Sequence, residues 1–372
     1  MKEIDLSYQT LFAELLQRCL DAEFDADFPE TGSFKRVTVK GRAYWYFQHR
    51  TDGRAKQTYV GPVSDEEIDR RVASFKTIKD DFRRRRKLVA TLVREAYLPQ
   101  PERFTGDLIE AFWKAGLFRL RAVLVGTSAY QCYSGLLGIR LPLSQMQTGD
   151  VDFAQFHSIS LSVEDSLPPI LEVLSTVDAT FHEIPHVSGE TGTTRFVNDK
   201  GFKVEFLTPN TGSARHDGHP APMPALGGAA AEPLRFLDFL ITDPVRSVVL
   251  HKGGIPVRVP APERYAMHKL IVATRWRREG MGVEKRDKDA AQAGQLAAAL
   301  TARRRAFELA EVFVEAWNRG PAWREALRGG RLLLPDGLRA AFDEALRDGL
   351  KDLGLAGADE IAGEEPVSSL FD

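Results

Sequence analysis

Cysteine is scarce. The 372 residues hold two, Cys19 and Cys132, too few for a disulfide framework, and reduced thiols packed as small apolar groups fit a cytoplasmic protein. No run of 18 apolar residues occurs, so no transmembrane helix is expected. The opening MKEIDLSYQT carries acids and lacks the basic-then-apolar order of a signal peptide, so none is expected. There is no P-loop, and no Gly-x-Ser-x-Gly surrounds Ser128, which excludes the commonest phosphate cradle and the hydrolase elbow. His216, Asp217 and His219 invite a zinc reading, but they sit in a Gly/Pro-rich stretch with no cysteine nearby and are expected to be loop residues. No internal repeat is found.

What is present is the composition of an ordinary globular protein, 43% hydrophobic and 27% charged. At roughly 150 residues per domain, two or three folding units are expected. The net charge of -2 conceals an asymmetry. Residues 35–94 carry 17 Lys/Arg against 7 Asp/Glu, which leaves the rest of the chain at -12. A basic module joined to an acidic body hints at a polyanionic partner.

Residues 1–100 read as a basic module. Leu11, Leu15 and Leu16 predict a helix over Leu6 to Leu20. Alternation through Val37 and Val39, then Tyr44 and Tyr46, predicts two or three short strands ending at Gly61-Pro62, with a tight turn at Asp52-Gly53. Ser64 with Glu67 resembles a capping box, and a long charged helix should follow from Asp65 to about Ala96.

Residues 101–260 read as a mixed α/β core. A helix over Asp107 to Ala115 leads to an apolar strand over Ala122 to Val125, then a helix after Gly126. Further strands are expected at Val151 to Ala154, near Ser158 to Leu161, and at Phe181 to Ile184, Thr194 to Asn198 and Phe202 to Thr208. Residues 209–233 are dense in Gly, Pro and Ala and read as a flexible crossing; Val245 to Leu250 and Ile255 to Val259 predict a hairpin about Gly253-Gly254. Residues 261–350 read as helical, and 351–372 as an acidic, frayed tail. The fold class expected is α+β.

The chemistry concentrates in Thr148-Gly149-Asp150-Val151-Asp152-Phe153. Residues two apart on a strand share a face, so Asp150 and Asp152 project together while Val151 and Phe153 enter a core. Adjacent carboxylates repel unless a cation or proton lies between them, and magnesium favours such oxygen ligands. The alternative is a solvent-facing strand edge with two harmless acids. Upstream, an apolar strand runs through Gly126-Thr127-Ser128 into a helix, a turn whose free N–H groups could seat phosphate; a plain strand-to-helix turn is the competing account. Downstream, Phe202, Val204 and Phe206 point inward and Glu205 outward. If that strand lies beside the Asp150 strand, Glu205 is a third carboxylate at one spot, as two-metal phosphoryl transfer requires.

These pieces resemble the polymerase-β nucleotidyltransferase superfamily. More closely, the chain is similar to bacterial nucleotidyltransferase-fold proteins of unassigned function, over about residues 30 to 300. The resemblance is carried by Gly126-Thr127-Ser128-Ala129-Tyr130, by Thr148 to Phe153, by Pro262-Glu263-Arg264-Tyr265-Ala266-Met267-His268-Lys269-Leu270, and by Gly41-Arg42-Ala43-Tyr44-Trp45-Tyr46. Thr127 stands where the superfamily has a second Gly or a Ser, and the gap from Gly126 to Asp150 is longer than usual, so the extra residues should form a loop over the site. The resemblance implies a core of mixed sheet flanked by helices. It also implies Lys269 as a triphosphate contact, similar to a motif of abortive-infection toxin nucleotidyltransferases. Glu284 to Asp289 resembles a later Lys-Asp motif of those toxins, against the alternative of a solvated, salt-bridged helix start.

The reading reached is a metal-dependent nucleotidyltransferase. It moves an NMP from an NTP donor to an acceptor hydroxyl on an RNA end (tRNA included), a protein or a small molecule. Asp150, Asp152 and Glu205 are the expected catalytic and metal-holding residues, for two Mg2+ ions or Mn2+. Gly126, Thr127, Ser128 and Lys269 are the expected nucleotide contacts. Arg42, Tyr44, Arg83, Arg84, Arg85 and Arg86 are candidates for nucleic-acid contact. Equally, four consecutive arginines circle a helix, and Trp45 and Phe47 could fill a small core. The rivals are a catalytically idle nucleotide- or nucleic-acid-binding module and a partner-binding subunit.

Overall fold

The computed structural model describes residues 2–26, 33–39, 42–51, 54–74, 81–142, 146, 149–162, 165–186, 188–189, 192–210, 219–275 and 281–355. The chain begins with β1 (Lys2–Glu3) and α1 (Leu6–Ala26). Phe12, Leu15 and Cys19 make a buried stripe at helical spacing, which holds α1 against its neighbours. Strands β2 (Ser33–Val39), β3 (Arg42–Thr51) and β4 (Arg54–Pro62) form an antiparallel sheet in that order. The expected Asp52-Gly53 turn lies outside the described residues.

Helix α2 (Glu66–Ser74) is capped by Asp65 rather than Ser64. Asp65 Oδ1 accepts the N–H groups of Glu67 at 3.0 Å and Ile68 at 3.2 Å, so its carboxylate satisfies two donors of the first turn. In place of one continuous helix the described residues show α2 and α3 (Asp81–Arg94), with 75–80 outside them.

The central region follows in order: α4 (Arg103–Ala115), β5 (Val123–Leu124), α5 (Gly126–Leu137), β6 (Ile139–Arg140) and β7 (Asp150–Ala154). Then come α6 (His157–Ser162), α7 (Ile170–Ser175), β8 (His182–Ile184), β9 (Arg195–Val197), β10 (Lys203–Pro209), β11 (Ala221–Pro222) and β12 (Ala230–Leu234). The sheet is mixed, in order β11-β12-β10-β7-β5, with β9 also on β10 and β8 on β9. Strands β7, β10 and β12 run parallel, whereas β5 and β9 are antiparallel to their partners.

Two expectations are corrected here. The Ser158 to Leu161 segment is helix α6, because its Ser/Leu alternation buries the wrong residues for a strand. Leu161 is 61% exposed, while Ser160 is buried and accepts the Ala225 N–H at 3.1 Å. Residues 230–234 form a sheet strand, β12, rather than part of a flexible crossing; small buried alanines let it lie close beside β10, and 211–218 are outside the described residues. Of the extra residues between Gly126 and Asp150, expected as a loop over the site, Ile139–Arg140 instead form β6, which follows α5, pairs with β1 and ties down the start of the chain; 143–145 and 147–148 are outside the described residues.

The remaining elements are α8 (Leu237–Ile241), the β13 (Val245–Val249) and β14 (Ile255–Val259) hairpin, α9 (Pro262–Ala273), α10 (Met281–Ala302), α11 (Ala306–Asn318), α12 (Pro321–Leu332) and α13 (Asp336–Asp352). One hydrophobic core takes in buried residues from Leu108 to Leu350, and a smaller one joins α1, α3 and β13. No helix among the described residues is long and apolar enough to cross a membrane.

The sheet has two chemically distinct faces. Val151, Phe153, Val204 and Phe206 are all at most 1% exposed. The Phe112 ring of α4 lies 5.0 Å from Phe153 and 5.8 Å from Phe206. Burying these aromatics against α4 is what forces the intervening residues of β7 and β10 to the opposite side.

Candidate active site

Three carboxylates project from that opposite side. In the parallel register Glu205 is the partner of Asp152, and Lys203 is the partner of Asp150. Neighbouring strands lie about 4.8 Å apart, so Asp152 and Glu205 stand side by side, with Asp150 one pleat away. On its other flank Glu205 faces Arg195 of β9, whose Nε lies 3.2 Å from Glu205 Oε1. The sequence pattern singles out these three acids and gives no sign of Arg195, which only the β9–β10 pairing brings beside Glu205.

Gly126 closes the floor. The Val125 N–H donates to the Asp152 carbonyl at 3.0 Å, which holds the turn against β7. Gly126 has φ +64°, and a Cβ there would lie 2.5 Å from Asp152 Oδ2. Both the left-handed backbone and the close approach require glycine. Its carbonyl accepts the Tyr265 hydroxyl at 2.9 Å, and that hydroxyl is also 3.2 Å from Gln292 Oε1. Gly126 opens α5, and a helix's first turn leaves N–H groups without intrahelical acceptors, so Thr127 and Ser128 lie at an anion-favouring end. Thr127 is half-buried; Ser128 is buried, and its Oγ has no hydrogen-bond partner among the described residues.

A basic wall completes the site. Lys269 lies one turn after Tyr265 on α9, its Nζ 5.4 Å from the centre of the Tyr265 ring and 2.5 Å from Asp289 Oδ1. On α10, Lys285, Lys288, Asp289 and Gln292 share one face by their spacing. Burial raises the Asp152 carboxyl to about 8, helped by Asp150 and Glu205, while Lys269 and Lys285 pull it down. Burial alone would lower Lys269, but Asp289, Tyr265 and Asp152 hold it above its ordinary value. Its neighbour His268 goes the other way: burial, then Lys269, lowers it to about 3, so it is a neutral imidazole. The i, i+3, i+4, i+7 spacing from Lys285 to Gln292 could have revealed the α10 face; its closure on α9 is a matter of tertiary packing.

The donor set suits a hard divalent cation. Asp150, Asp152 and Glu205 offer oxygen donors on one sheet face, burial and then the neighbouring acids drive Asp152 toward protonation, and the glycine at 126 leaves its carboxylate room. A second set lies across the sheet, on the α4 side. Asp107, Glu110 and His251 bring ligand atoms within 4.8 Å of one another, a trio a divalent cation could use. There the Lys252 ammonium lies 2.7 Å from Asp107 Oδ1 and 2.6 Å from Glu110 Oε2, supplying the counter-charge itself. A cavity of about 730 Å³ opens beside them.

The basic module is divided by its packing. Arg83, Arg84 and Arg86 are exposed on α3. Arg85 is corrected as a nucleic-acid contact: it is 8% exposed, and its guanidinium is committed to Asp81 at 2.9 Å and the Gly253 carbonyl at 3.2 Å. A helix advances 100° per residue, so one of four consecutive arginines must face inward. Arg42 is exposed and Tyr44 half-buried on β3.

Compared with known proteins, residues 103–318, more than half of the chain, match a family model described as nucleotidyltransferase. Residues 7–70 match a second model, described as a domain of unknown function. No curated protein and no solved structure matches the chain.

Proposed function

The chain belongs to the nucleotidyltransferase family, and we propose that it moves an NMP from an NTP to an acceptor hydroxyl at the Asp150–Asp152–Glu205 face. Family membership implies the NTP donor. Asp150 and Asp152 would hold two Mg2+ ions, with Mn2+ as a substitute, and Glu205 would share one. Bound there, the ions would offset phosphate charge and acidify the acceptor hydroxyl. The Gly126 turn, with Thr127 and Ser128, offers N–H and hydroxyl donors to the β- and γ-phosphates. Lys269, held by Asp289 and Tyr265, presents an ammonium on the same side as the acids. The acceptor oxygen bonds to the α-phosphorus, the α–β bridging bond breaks, and pyrophosphate leaves. Glu205 would help take the acceptor's proton, and Arg195 would steady the carboxylate until then. Fixed positions and charges do most of this work.

The observation that carries this reading is the parallel register placing Glu205 beside Asp152 above a glycine that cannot bear a side chain. The test incubates the protein with each of the four NTPs, Mg2+ and total cellular RNA, following pyrophosphate. Metal-dependent release, abolished by EDTA, is expected for one or more NTPs. NTP binding without release under any acceptor would favour the idle binding module instead.

A further inference from the structure

The three-stranded sheet β2-β3-β4 is unequal on its two faces. One packs toward α2: Phe47 is fully buried with Phe34 edge-on at 5.0 Å, and Trp45 Nε1 donates to Asp69 Oδ1 of α2 at 3.1 Å. Gly61, opposite Trp45, is approached so closely that a Cβ would lie 2.2 Å from Ile68 Cδ1 of α2. The register puts a different set on the reverse face. Tyr46 is paired with both Lys35 and Tyr59, and Tyr44 and Arg42 follow at two-residue steps along β3. The Tyr59 ring lies 5.6 Å from Tyr46 and 5.9 Å from Tyr44, yet Tyr59 remains 55% exposed.

We propose that this tyrosine face binds a single-stranded polynucleotide, whose bases stack on Tyr44, Tyr46 and Tyr59 and whose phosphates meet Lys35 and Arg42. An exposed tyrosine ring set against two half-buried ones is a stacking platform that any base can use. Lys35 and Arg42 on that face suit the backbone of such a strand, and the local sequence is basic. Residues 33–62 contain seven Lys/Arg and a single acid, Asp52. An apolar or cationic partner would meet the wrong charge, and a duplex hides its base faces in its own stack. The proposal rests on the transferase reading only where it makes the bound strand the acceptor; the binding itself does not depend on it.

The test titrates full-length protein into labelled single-stranded RNA and DNA oligonucleotides, read by fluorescence anisotropy between about 50 and 200 mM salt. Tyr59→Ala should weaken binding about five- to a hundredfold, as expected for losing one base stack, while Tyr59→Phe keeps it. Lys35→Gln should reduce the slope of log affinity against log salt by roughly 0.7. Comparison of the RNA and DNA arms identifies which polymer the face takes. Wild-type protein that binds neither strand, equal affinity of Tyr59→Ala and wild type, or a duplex competing as well as a single strand would each overturn the proposal. Magnesium–NTP binding of Tyr59→Ala should match wild type. Lost transfer with intact strand binding would therefore count against the catalytic reading alone.

Discussion

Glu205 and Asp152 are direct partners across two parallel strands, so their carboxylates stand shoulder to shoulder on the face of the sheet turned away from Phe112. The apolar residues that alternate with them are what fix this. Their burial against α4 leaves the acids no other side to occupy.

That crowding has a pH signature. The Asp152 carboxyl is raised to about 8 by burial, then by Asp150 and Glu205, so the folded protein binds a proton more tightly than the unfolded chain. The associated stability is full below the ordinary carboxylate range and is lost as pH rises toward 8. In EDTA, wild-type protein should therefore melt at lower temperature at high pH than at pH 6, and Asp152→Asn should flatten the trend, by about 2 °C or more. Added Mg2+ should raise the melting temperature of wild type at high pH and have much less effect on the variant. Parallel melting curves for the two proteins across this range would contradict the shared-site geometry.

Gly126→Ala should damage both fold and site. The left-handed φ costs a β-carbon about 1–2 kcal/mol, and the new methyl would press on the Asp152 carboxylate. Denaturant unfolding should show that loss, and nucleotidyl transfer should fall further than stability alone explains. An alanine variant with wild-type transfer would place the Asp152 carboxylate away from the reaction.

Lys269 needs a two-part experiment, because it pairs with the buried Asp289. Lys269→Ala should raise the NTP dissociation constant about ten- to a hundredfold, the loss of a charge-assisted contact. It also takes the Lys269 ammonium from the buried Asp289, and breaking such a pair should cost stability, up to about 3–5 kcal/mol. Lys269→Met with Asp289→Asn should restore most of the stability but not the affinity, as read by calorimetric titration of a non-hydrolysable NTP. His268→Ala should do much less, since this neutral side chain projects about 100° around the helix. A histidine variant that binds NTP more weakly than the lysine variant would assign the site to the other face of α9.

Much of the site was legible because it depends on local period. Asp150 and Asp152 are two residues apart on a strand, and Phe202-Lys203-Val204-Glu205-Phe206 alternates clearly. What the chain could not show locally was pairing. Arg195 meets Glu205 only through the β9–β10 register, and Asp289 meets Lys269 only because α10 folds back on α9. Short segments failed for a similar reason. Ser158 to Leu161 carries too few residues for its period to outweigh the packing of Ser160 under Ala225. The Gly/Pro-rich stretch hid β12 because small residues signal turns, yet here they permit close strand approach. Asp65 displaced Ser64 as the α2 cap, the two being adjacent residues of equal aptitude.

The most direct measurement is single-turnover transfer from an α-labelled NTP in Mg2+, comparing wild type with Asp152→Asn and Glu205→Gln. Asn and Gln keep the size of the side chains and remove only the charge that would hold the cation. Both variants should stay folded, and Asp152→Asn should lose transfer by about a thousandfold or more, equivalent to roughly 4 kcal/mol of transition-state stabilisation. Wild-type rates in Asp152→Asn would contradict the account.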